Sequence, residues 1–163
     1  PSFNLYEDFW KIYTNTGNQP PQYIASTAVV KKSIISDGCE VYGNVHGSVL
    51  SPDVIIEEGA EVKDSIIMYS TVIKRGAFID RCIIDEHCVI GENVKMGVGE
   101  NIINENKPKI YNTGITVVGE HTDIPDNVTI GKNCVVYGKT TSADYKDSVL
   151  ESGKSIIIGE EDI

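Results

Sequence analysis

The sequence predicts an all-β chain wound as a three-sided parallel β-helix, and three spacings carry that prediction. Leu50, Ile67 and Ile84 stand 17 residues apart, as do Ile56, Ile73 and Ile90, and Val62, Ile79 and Met96. Within one turn of the pattern the steps are 5, 6 and 6 residues. A helix repeats at about 3.6 residues and a strand at 2, so neither explains nine positions in this register. A coil with one short strand per side and one inward aliphatic residue per strand does. A small or short residue lies two positions before each inward one: Ser48, Ser65 and Cys82; Val54, Thr71 and Cys88; Ala60, Ala77 and Val94.

Taken in order, residues 1–23 stand outside the repeat. They hold Phe3, Leu5, Tyr6, Phe9, Trp10, Ile12 and Tyr13, then Pro20-Pro21 before Tyr23. So aromatic a stretch is too apolar for a free linker. It reads either as a strap over the open strand edges of the first coil or as a contact with a second domain or subunit. Tyr6, Phe9 and Trp10 are the candidate interdomain contacts.

The β-helix domain is expected over residues 24–163. Coils run from Ile24 to Met96, with an irregular stretch at 45–49, since Val41 to Leu50 is 9 residues rather than 6. The pattern breaks at 97–114, a polar insertion that should protrude from one corner. It resumes at Thr116/Val118, Thr122/Ile124, Val128/Ile130 and Cys134/Val136. In the tail, Lys146-Asp-Ser-Val-Leu150 echoes Lys63-Asp-Ser-Ile-Ile67, before an apolar Ile156–Ile158 and an acidic terminus.

The 163 residues suit one domain with a core, and 40% apolar with 23% charged is ordinary for a globular protein. The net charge of −10 argues against nucleic acid, whose affinity comes mainly from phosphate neutralisation. No apolar run approaches the ~20 residues of a membrane span, and no secretory signal opens the chain. The first residue is Pro1 rather than Met, so the expectation is that more protein precedes it.

Cys39, Cys82, Cys88 and Cys134 each fall two residues before an inward aliphatic residue, the slot filled elsewhere by Ser, Thr or Ala. They read as buried thiols in a reducing, cytoplasmic compartment rather than as disulfides or zinc ligands. The residue before each small slot is often Gly38, Gly59, Gly76, Asn93, Asn127 or Asn133, which tolerate the left-handed backbone a corner needs. His87 and His121 occupy the same position, and His46 lies beside Gly47 at another corner. None is expected to be catalytic or to bind metal or cofactor.

With these hexads, the steps Ile90-Gly91, Val118-Gly119 and Ile130-Gly131 resemble the left-handed β-helix of the hexapeptide-repeat superfamily. The left hand comes from that resemblance, not from the spacing. More narrowly, several segments resemble the C-terminal region of bacterial ADP-glucose pyrophosphorylases: Asn4-Leu-Tyr6 with Trp10-Lys-Ile-Tyr-Thr14, Pro20-Pro-Gln-Tyr-Ile24, Val41-Tyr-Gly-Asn-Val45 with Ser48-Val-Leu50, and Val62-Lys-Asp-Ser-Ile-Ile-Met68. The resemblance spans about residues 3–138. It implies glycogen biosynthesis, in which ATP and glucose 1-phosphate give ADP-glucose and pyrophosphate with Mg²⁺. Catalysis, ATP and Mg²⁺ would then belong to an N-terminal nucleotidyltransferase domain whose Gly-rich loop has no counterpart here. This domain would pack against that one, join subunits into tetramers and help transmit effectors.

One departure matters. Relatives of the enteric type place an Arg after the Cys-Val-Ile-Asp turn, near a bound sugar bisphosphate. Here Cys82-Ile-Ile-Asp85 is followed by Glu86, whose carboxylate would repel a phosphate. Lys74, Arg75 and Arg81 remain as a weaker candidate effector or anion site.

The competing resemblance is to acyl-CoA-dependent hexapeptide acetyltransferases, which need a His base and a loop folded over a neighbour. The 97–114 insertion suits that reading, whereas the histidines fit corner slots. A γ-type carbonic anhydrase would need three zinc-binding His at another spacing.

Overall fold

A computed structural model describes residue 9 and residues 17–159. Within them the chain is a left-handed parallel β-helix, a three-sided solenoid whose strands are two to four residues long. Face A stacks six strands: Tyr23–Ile24, Glu40–Val41, Ile55–Ile56, Val72–Ile73, Val89–Ile90 and Asp123–Ile124. Face B stacks seven: Val30–Lys31, Asn44–His46, Glu61–Lys63, Phe78–Asp80, Lys95–Val98, Thr129–Gly131 and Val149–Leu150. Face C also stacks seven: Ile34–Ile35, Val49–Leu50, Ile66–Ile67, Cys82–Ile84, Thr116–Val118, Val135–Tyr137 and Ser155–Ile157. Every strand pair is parallel, and the three predicted columns are in register: Leu50 on Ile67 on Ile84, Ile56 on Ile73 on Ile90, and Val62 on Ile79 on Met96.

The core is that set of columns. All nine residues are fully buried. The small slots beside them are as tightly enclosed: Cys39, Ala60, Thr71, Cys88 and Cys134 have no exposed surface. Burial of these side chains is the main favourable term, since each strand alone is too short to be stable. The slot side chains also mend the backbone at the corners. Ser48 Oγ accepts from Ser65 N and Ser65 Oγ accepts from Cys82 N, so a Ser ladder runs down the B–C edge.

The corners take the backbone the sequence predicts. Gly38, Gly59, Gly76, Asn93, Asn127, Asn133, His87 and His121 all have positive φ. His46 differs: it ends a face-B strand, paired with Lys31 and Lys63, and Gly47 supplies the turn at φ 61°. A residue at positive φ cannot continue the strand, so the rung ends one position after His46.

The irregularity at 45–49 proves to be a short coil. Inward Val41, Val45 and Leu50 step by 4 and 5, where the next coil steps from Ile56 to Val62 by 6. Two residues are missing from the A–B corner, so the backbone there cuts inward. A Cβ on Gly43 would fall against the carbonyl oxygens of Ala60 and Glu57, the latter at 2.7 Å. Only Gly fits so close an approach.

The insertion leaves between faces B and C and is laid back along that edge. Asn104, almost fully buried, donates from Nδ2 to Asn133 O and Ser155 Oγ, while its Oδ1 accepts from Asn106 N and Lys107 N. Asn133 donates from Nδ2 to Asn101 Oδ1 and Ile102 O, and its Oδ1 accepts from Gly114 N at 2.6 Å.

In the tail, Lys146–Leu150 repeats the motif of Lys63–Ile67 but not its position. Ile67 lies on face C, whereas its counterpart here, Leu150, stacks on Ile130 of face B. A 3₁₀ turn at Ser142–Asp144 takes the place of the face-A strand. Tyr145 fills the coil beside it, its hydroxyl 2.9 Å from Thr140 Oγ1. The small-x-aliphatic motif marks any corner, so it cannot say which one.

Candidate functional site

The outer surface of face C is the most distinctive feature. Its outward residues, one position before each inward aliphatic, are Ile34, Val49, Ile66, Ile83, Val117 and Val135, paired in register on six consecutive strands. The same position on face B reads Asn44, Glu61, Phe78, Lys95, Thr129 and Val149. On face A it reads Tyr23, Glu40, Ile55, Val72, Val89 and Asp123. Ile34, Val49 and Ile66 are 39%, 37% and 41% exposed, enough that water touches a continuous aliphatic ridge. At about 4.8 Å per strand the ridge is roughly 24 Å long. Met68 lies beside it, half-buried, and Ile157 extends the apolar surface at the far end, exposed. A solvated strand face normally carries polar residues at such positions, so a run of this length marks a contact surface.

Gly17, where the continuously described chain begins, lies toward the same face. Gly17 shares a hollow with Ser51, Pro52, Ile66, Met68, Tyr69 and Glu86, at the border of face C. Phe9 is 84% exposed. Tyr6 and Trp10 lie outside the described residues.

The three candidate cations do not form one cluster. Lys74 and Arg75 precede the strand Phe78–Asp80, and Arg81 follows it, so they sit at different edges of the solenoid. Arg75 Nη1 lies 2.8 Å from Glu58 Oε2, and Arg81 Nη2 donates to Thr113 O at 3.0 Å, bracing the insertion. Lys74 lines a hollow with Asp123, Asp126 and Thr140.

His87 and His121 stack on successive coils, centroids 5.1 Å apart and rings 3° from parallel, with Tyr69 edge-on to His87 at 5.5 Å. This is a corner ladder, and no nucleophile is hydrogen-bonded to either ring. The four cysteines are free and buried. Burial pushes the Cys88 thiol up to about 11, and raises those of Cys39, Cys82 and Cys134 as well, so these sulfurs are poor nucleophiles and poor metal ligands. Among the described residues, no group of three or more His, Cys, Asp or Glu is placed to hold a metal ion, and no helix is long and apolar enough to cross a membrane. Sequence reasoning placed Asn133 at a corner but missed its grip on the insertion. The cluster of Asn101, Asn104, Asn106 and Asn112 was the only signal, and it does not name its partners.

Short parallel rungs, glycine or asparagine corners and a fully aliphatic axis define the class: hexapeptide-repeat solenoids. Within that class the chain belongs to the GlmU-like C-terminal hexapeptide family, which matches residues 21–118. It is similar to the glucose-1-phosphate adenylyltransferase of Acetivibrio thermocellus, 48% identical over 99% of this chain and 38% of that protein. It is likewise similar to that of Lachnospira eligens, 54% identical over 96% of this chain and 37% of the relative. The chain thus spans little more than a third of the length of these relatives. Among solved structures it is similar to perosamine N-acetyltransferase from Caulobacter crescentus, with TM-score 0.47 and 15% identity over 85% of this chain and 49% of the other. A likeness at that level says nothing of chemistry.

Proposed function

We propose that this chain is the non-catalytic hexapeptide domain of a glucose-1-phosphate adenylyltransferase of glycogen biosynthesis. On this reading a nucleotidyltransferase domain binds ATP and Mg²⁺ and forms ADP-glucose and pyrophosphate from ATP and glucose 1-phosphate. The β-helix holds that domain, joins subunits into a tetramer and passes on effector signals, with residues 1–23 as the link. The observation that carries the reading is the aliphatic ridge of face C, which needs a covering partner. The similarity of almost the whole of this chain to about a third of two adenylyltransferases supports the identity of that partner. Arg75 and Arg81 already hold protein groups, so of the three candidate cations Lys74 is the one that, among the described residues, is left to meet an effector.

The test is made in the longer protein. Ile66→Asp with Ile83→Asp places two carboxylates on the ridge, each costing about 2 kcal/mol or more if that surface is buried in the assembly. Sedimentation should show loss of the assembly and ADP-glucose synthesis should fall, while the 163-residue chain carrying the same changes stays folded. Unchanged assembly and activity would overturn the docking role. The 163-residue chain by itself should form no ADP-glucose. Acetyl transfer from acetyl-CoA that disappears in His87→Ala would instead establish the acetyltransferase reading.

A further inference from the structure

Face B carries a feature that the docking ridge does not explain. Lys31, His46 and Lys63 stand directly opposite one another on three successive strands. Neighbouring strands lie about 4.8 Å apart, so the column spans roughly 10 Å. His46 separates the two lysines, and Lys63 stands between His46 and Asp80. Lys63 has an acidic partner, Glu61 Oε1 at 2.8 Å. Among the described residues Lys31 and His46 have no ion-pair or side-chain hydrogen-bond partner. The neighbouring acids are Glu61, Asp64 at the next corner, and Asp80 opposite Lys63 on the following strand. With Lys32 beside Lys31, three lysines stand here beside three carboxylates, in a chain whose net charge is −10.

These side chains rim a hollow of about 270 Å³, floored by Val45 and Val62 and walled by Val29, Asn44 and Glu61. It lies beside the two-residue shortening of the A–B corner at Gly43. Asn44 Oδ1 accepts from Val29 N at 3.1 Å, which fixes the amide and leaves its NH₂ as a donor. The hollow therefore combines an oriented amide donor, two ammonium groups and an imidazole over the backbone at Val45 and Val62.

We propose that this hollow binds the phosphoryl group of a small phosphorylated molecule, with Lys31, His46 and Asn44 as its donors and Lys63 shared with Glu61. A phosphoryl dianion accepts charge-assisted hydrogen bonds from the lysine ammonium groups. The site is on a different face from the ridge, and its test needs no second domain. Its failure would leave the adenylyltransferase reading untouched.

The test follows the ring protons of His46 by NMR in the 163-residue chain. Inorganic phosphate and, separately, pyrophosphate are added against sodium chloride of equal ionic strength. Saturable shifts are expected at His46 with phosphate or pyrophosphate, and none at His87 or His121. Saturation by inorganic phosphate would identify a single phosphoryl group as sufficient, whereas saturation by pyrophosphate alone would mean the column reads two. Lys31→Gln, an exposed change whose folding is checked by circular dichroism, should weaken binding at least tenfold. A response that never saturates, that sodium chloride reproduces, or that survives Lys31→Gln unchanged would overturn the proposal.

Discussion

Ile66 and Ile67 are adjacent, chemically identical and on opposite sides of one rung, so they test the register without changing the chemistry. Ile67 is fully buried between Leu50 and Ile84, and Ile66 is 41% exposed on the ridge of face C. Replacing Ile67 by Ala removes three carbons from a packed column and leaves a cavity, at about 2–5 kcal/mol. Replacing Ile66 by Ala removes the same atoms from a half-wetted position, worth about 1 kcal/mol at roughly 0.8 kcal/mol per buried CH₂. For a chain of this size each kcal/mol moves the melting temperature by about 2–4 °C. Ile67→Ala should therefore melt some 5–15 °C below the parent, and Ile66→Ala within about 4 °C of it. The assay is thermal circular dichroism at low micromolar concentration, with oligomeric state measured alongside because Ile66 lies on the expected contact surface. A solenoid couples each coil only to its neighbours, so the Ile67 variant should also melt over a broader range. Equal shifts, or a larger one for Ile66, would refute the register.

Three further outcomes follow from other parts of the molecule. Gly43→Ala should lower stability by about 1–3 kcal/mol, since its Cβ meets backbone oxygens that cannot step aside; urea unfolding reads this directly. Asn133→Ala removes three side-chain hydrogen bonds and places Ala at φ 54°, so it should cost about 3 kcal/mol. It should also make residues 101–113 more open to limited proteolysis than in the parent. The cysteines should be silent to thiol reagents until the chain unfolds. Because the Cys88 thiol is raised from 9.0 to about 11, the unfolded chain loses that proton first as pH rises. The contribution is present in full below pH 9 and is lost between about pH 9 and 11, so stability should fall across that window. A flat stability profile there would show that the sulfur is not shielded.

The sequence by itself determined the winding. One inward aliphatic residue per rung at steps of 5 and 6 admits only one way to bury Ile56, Ile73 and Ile90 together. A small slot two residues earlier and a Gly, Asn or His at the turn are local requirements written at each corner. The burial of the four thiols and the corner backbone of His87 and His121 were legible from their slots. The tertiary structure alone decided which side of the triangle a motif occupies, which is why Lys146–Leu150 and Lys63–Ile67 share letters but not faces. It alone showed that Asn104 and Asn133 lock the insertion to the B–C edge, because those partners are 29 residues apart in a segment without a repeat. It also lined up Ile34, Val49, Ile66, Ile83, Val117 and Val135 as one ridge, and Lys31, His46 and Lys63 as one column. Periodicity tells an inward residue from an outward one. Which outward residues become neighbours depends on the length of every coil between them, and here one coil is two residues short while another carries the insertion.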